Sequence, residues 1–119
     1  MRTLFYTLSI AVLLVACGPD ENTILYNQVM DIHDEVMPKM EELYNKKKEL
    51  QAKLKEDSTV AGVNEKIAEI DAADKLMMDW MHSFNPPEKG ADKDQAKAYL
   101  EGELVKVKAV REAILTALK

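Results

Sequence analysis

The sequence is poor in nearly everything that covalent or redox catalysis requires. It holds one cysteine, so no disulfide can form within the chain and no cluster of thiolates can hold zinc. Its two histidines, His33 and His82, belong to no Ser-His-Asp or Cys-His pattern. The four glycines are scattered, which excludes a Gly-rich phosphate loop. No segment alternates apolar and polar residues as a half-buried strand does. Positive charge is in deficit, with 16 Lys and Arg against 21 Asp and Glu. That balance argues against binding nucleic acid, which needs a basic surface, and against electrostatic adhesion to anionic lipid head groups. Long apolar runs are also missing: the longest falls short of the roughly 20 residues that span a bilayer.

That longest run is the first informative feature. It extends from Leu4 to Ala16, directly after Met1-Arg2, and ends in Leu14-Val15-Ala16-Cys17. One positive charge, a short apolar segment, small-to-medium residues and then a cysteine is the layout of a bacterial lipoprotein signal. Gly18-Pro19 stops any helix at that point. The expectation is a cleaved signal over residues 1–16, a lipidated tether over 17–22 with Cys17 acylated (palmitate and related chains), and a bundle domain over 23–119. Acylation consumes the only thiol and attaches the protein to a membrane through its acyl chains. Gly18 stands where an aspartate marks inner-membrane retention in enteric bacteria, which favours the outer membrane. Asp20-Glu21 is similar to the signal some bacteria use to place lipoproteins on the cell surface.

After the tether the composition is that of helices, rich in Ala, Glu, Lys, Leu and Met. A first helix is expected from about Thr23 to about Lys55, with the stripe Leu25, Val29, Ile32, Val36, Met40, Leu43, Lys47, Leu50 and Leu54. Lys47 interrupts that stripe, either snorkelling or lying beyond the partners' ends. A second helix carries Val63, Ile67, Ile70, Asp74, Met77, Met81 and Phe84, capped by Asn64 or Ser58 and stopped by Asn85-Pro86-Pro87. A third begins at Asp92, with Gln95 in capping-box spacing, and carries Ala96, Leu100, Glu103 or Leu104, Val107, Val110, Ile114 and Leu118. Short connections predict an all-α, antiparallel three-helix bundle running up, down and up. Pro38 predicts a kink or a break near Val36-Met37 in the long first helix.

One layer of this bundle concentrates the residues with coordination chemistry. A hairpin turning near Ser58 sets residue i against roughly residue 117 − i. His33, Met37 and Met40 then fall beside Met77, Met81 and His82. Within each helix, His33 and Met37, like Met78 and His82, are four residues apart and share a face. Imidazole with thioether is a soft set suited to copper(I), and the same pair can ligate haem in a bundle. Methionine is also an ordinary gap-filler of helix cores, or the lining of a groove for a partner. Asp79-x-x-His82 is half of a di-iron motif whose remaining elements are missing. Asp74, on the core stripe, is either a boundary carboxylate paired with a lysine or a buried acid.

His33-Asp34-Glu35-Val36-Met37-Pro38-Lys39-Met40 and Ala73-Asp74-Lys75-Leu76-Met77-Met78-Asp79-Trp80-Met81-His82, with Tyr99-Leu100-Glu101 further on, resemble a group of small bacterial envelope lipoproteins, some labelled "viral A-type inclusion protein". The resemblance spans the chain from Cys17 onward and implies a helical lipoprotein with no assigned active site. The expected role is therefore non-enzymatic binding or scaffolding at the envelope, in the outer membrane facing the periplasm or the cell surface, with an envelope protein as partner and no cofactor. A copper-holding protein using His33, Met37, Met40, Met77, Met81 and His82 is the alternative.

Overall fold

The computed structural model describes residues 18–119; the expected signal and Cys17 lie outside the described residues. Three helices follow one another: α1 (Glu21–Glu56), α2 (Val63–Ser83) and α3 (Lys93–Ala117). They pack as a three-helix bundle, and the described residues contain no strand. Cross-links give the register. Lys97 pairs with Glu21 at 2.8 Å and Arg111 with Glu35 at 3.4 Å, so α3 runs parallel to α1. Lys47 reaches Asp71 and His33 lies against Trp80, so α2 runs antiparallel to α1, near the expected 117 − i pairing.

The stripe of α1 folds inward as its spacing of threes and fours requires: Val29, Ile32, Val36 and Leu43 are buried. α3 buries Ala96, Leu100, Glu103, Val107, Val110, Ile114 and Ala117. Lys47 snorkels: its half-buried stem lies on the stripe while its ammonium meets Asp71 at the surface. Neighbouring Lys46 donates to the carbonyl of Leu118 at 2.7 Å, supplying a cation and a donor where α3 leaves its last carbonyls without helical partners.

Of the kink or break expected at Pro38, the break does not occur: α1 is continuous through it. The ring removes the donor that would have met the carbonyl of Asp34, but both residues are exposed, so water reaches that carbonyl. α1 also begins at Glu21 rather than Thr23, because the Asp20 carbonyl already accepts from Ile24 N–H at 3.1 Å. The expected helical domain therefore starts two residues earlier. α2 begins at Val63 behind Gly62, whose φ of 79° makes the reversal that neither Asn64 nor Ser58 makes. Lastly, Asp74 is exposed; Ala73 takes the inward position beside it and is buried.

The α3 cap forms as expected: Asp92 Oδ1 accepts from Gln95 N–H at 2.9 Å. Asp92→Ala should lower stability by about 1 kcal/mol in urea unfolding. An unchanged midpoint would mean that this bond contributes nothing beyond water.

Candidate functional site

Two places in the bundle gather unusual side chains. The first is the expected Met/His layer. Met77 is fully buried in the core, with Met40 and Met81 packed against it. His33 is half-buried, its ring 6.0 Å from Trp80 and its Nδ1 2.8 Å from Asp34 Oδ1. Met37, Met78 and His82 are exposed. Of the six candidate ligands only Met77 is fully buried; His33, Met40 and Met81 are half-buried, and Met37 and His82 are exposed. Among the described residues, no group of three or more His, Cys, Asp or Glu is placed to hold a metal ion.

Beside this layer lies a buried polar bond that the sequence only half suggested. Glu103 sits on the core stripe of α3 and is 3% exposed. Its Oε2 accepts from Trp80 Nε1 at 2.8 Å, and its Oε1 accepts from Lys106 Nζ at 2.9 Å. Both carboxylate oxygens are therefore satisfied, and no buried side-chain polar atom among the described residues lacks a partner. The carboxylate holds the Lys106 ammonium above its ordinary pKa, first by its hydrogen bond and then by its charge.

The second place is at the end of the bundle where α1 begins. Phe84, the residue after α2, stacks on Trp80, Tyr26 and Tyr99 with ring centroids 5.0, 6.3 and 6.3 Å apart. The Tyr99 hydroxyl accepts from Asn85 N–H at 2.7 Å and so fixes where the α2–α3 connection departs. Pro86 and Pro87 then stiffen the connection, and Gly90, at φ 93°, turns it back toward Asp92. Between this connection and the first turns of α1 and α3 opens a groove of about 510 Å³. Its apolar lining comes from Tyr26, Pro86, Pro87, Ala96 and Leu100, and its polar rim from Asp20, Asn22, Glu88, Lys89 and Lys93. The size falls within the roughly 300–1,000 Å³ of pockets that enclose small organic molecules.

The groove's mouth is pinned. Asn22 Nδ2 donates to the carbonyl of Lys93 at 3.1 Å, and Lys97 bridges to Glu21. Glu21 raises the pKa of Lys97 through its hydrogen bond and then its charge. A raised lysine pKa stabilises the fold at every pH below its unfolded value of 10.5, and that contribution is lost as pH rises through the folded value. The clamp is therefore intact at neutral pH.

Sequence reasoning read Asn85-Pro86-Pro87 only as a stop signal. The groove it walls requires residues from three separate parts of the chain, and no local pattern announces that meeting. No family model matches this chain, and no curated protein or solved structure matches it either. Among the described residues, no helix is long and apolar enough to cross a membrane.

Proposed function

We propose that this chain is a lipid-anchored protein of the bacterial envelope with a binding or scaffolding role and no chemistry of its own. The observation that carries the reading is Cys17, the only cysteine, at the end of the Leu4–Ala16 apolar run and directly before Gly18-Pro19. The resemblance of His33–Met40 and Ala73–His82 to small envelope lipoproteins supports it. So does the composition, which lacks the residue patterns of nucleophilic and phosphoryl-transfer enzymes. Gly18 favours the outer membrane, facing the periplasm or the cell surface. The partner is an envelope protein, and the groove at the α1 start offers it an apolar lining with a polar rim.

The test is acyl labelling in a bacterial host. The wild-type chain should incorporate labelled palmitate and fractionate with membranes. Cys17→Ser should lose the label completely and accumulate as an unprocessed precursor. Label retained in Cys17→Ser would refute the assignment.

A further inference from the structure

Resting on the lipidation of Cys17, we propose that the groove between the start of α1 and the α2–α3 connection shelters an acyl chain of the protein's own anchor when the protein is out of the bilayer. The first argument is reach. Asp20 forms part of the groove's rim, and only Gly18 and Pro19 separate it from Cys17. Three residue steps span at most about 10 Å, so the acylated cysteine cannot stand far from the mouth. The second argument is fixation. Asn22 is bonded to the Lys93 carbonyl, and Glu21 to Lys97, so the tether leaves the bundle at a fixed point beside the groove.

The third argument is chemistry. Tyr26, Pro86, Pro87, Ala96 and Leu100 present an apolar lining with a polar rim, which suits a methylene chain entering from the polar end. Two prolines and a turn glycine hold the wall open, so little ordering accompanies entry. The bilayer buries every acyl chain of the anchor, and a single groove of about 510 Å³ does not. The membrane therefore remains the preferred home, and the groove acts in transit, where it lowers the exposure of acyl chain to water.

The experiment uses the full-length protein made in cells fed a diazirine-bearing palmitate. The purified lipoprotein is irradiated in detergent diluted below its micelle concentration, and its cross-links are mapped by mass spectrometry. Cross-links to Tyr26, to residues 86–91 or to Ala96 are expected. They should be lost in Ala96→Trp, which fills the groove, and in Thr23→Trp, which narrows it from an exposed helix position. The second variant tests the idea even where the first fails to fold. Labelled protein cross-linked only to detergent or to other parts of the chain would overturn the groove while leaving the anchor intact. Protein carrying no label at Cys17 would overturn the anchor and the groove together. Cross-links in the groove that persist in both variants would also sink the proposal.

Discussion

Trp80→Ala should destabilise the bundle by about 3–5 kcal/mol, which approaches the whole stability of a small domain. The indole is 5% exposed, stacks on Phe84 and lies against His33, so its removal opens a cavity where all three helices meet. It also removes the donor to Glu103 and leaves that buried oxygen unpaired. The two contributions separate by substitution. Trp80→Phe keeps most of the volume and should cost about 1–3 kcal/mol, mainly from the orphaned carboxylate. Adding Glu103→Leu to Trp80→Phe should recover most of that loss, because replacing both partners of a buried polar pair by apolar groups can be nearly neutral. Urea unfolding followed by far-ultraviolet circular dichroism measures all three. A Trp80→Phe protein as stable as wild type would show that the indole–carboxylate bond contributes nothing net.

The second large effect has the opposite sign. Pro38→Ala should stabilise the protein, by up to about 3 kcal/mol. Alanine restores the amide that can meet the Asp34 carbonyl and removes the ring from the interior of α1. Each kcal/mol corresponds to about 4–8 °C in a domain of this size, so the melting temperature should rise visibly. The helix remains unbroken at Pro38 because it is held on both sides of it: Val36 and Leu43 are buried in the core, and Glu35 and Lys47 are tied to Arg111 and Asp71. Tertiary contacts outweigh the local penalty. A melting temperature that falls in Pro38→Ala would mean that α1 needs the altered geometry to fit its partners.

The same competition explains what could be read from the sequence. The stripes of α1 and α3 were legible because large aliphatic residues recur at threes and fours with few rivals. In α2 the stripe was read through Asp74; the spacing fits Ala73 as well, and alanine is too weak an apolar marker to correct the reading. Burial resolves it, because a carboxylate left in the core without donors costs far more than a small methyl group gains. Glu103 illustrates the converse. It was legible as one of two candidates for a core position, but its acceptability depends on Trp80, a residue on another helix. At Pro38 the sequence left a kink and a break open, and the contacts on both sides of the proline decide for an unbroken helix. The groove was illegible because its walls come from distant segments and its lining residues form no periodic pattern.

The parallel course of α1 and α3 has a consequence for how the molecule presents itself. The first turns of α1 and α3 share one pole, while Leu118, just after α3, meets Lys46, ten residues short of the end of α1 at Glu56. At about 1.5 Å per residue, the 25 residues of α3 span roughly 38 Å and the 36 of α1 roughly 54 Å, so the α1–α2 hairpin projects past the end of α3. The tip opposite the shared pole is therefore the α1–α2 hairpin, two helices rather than three.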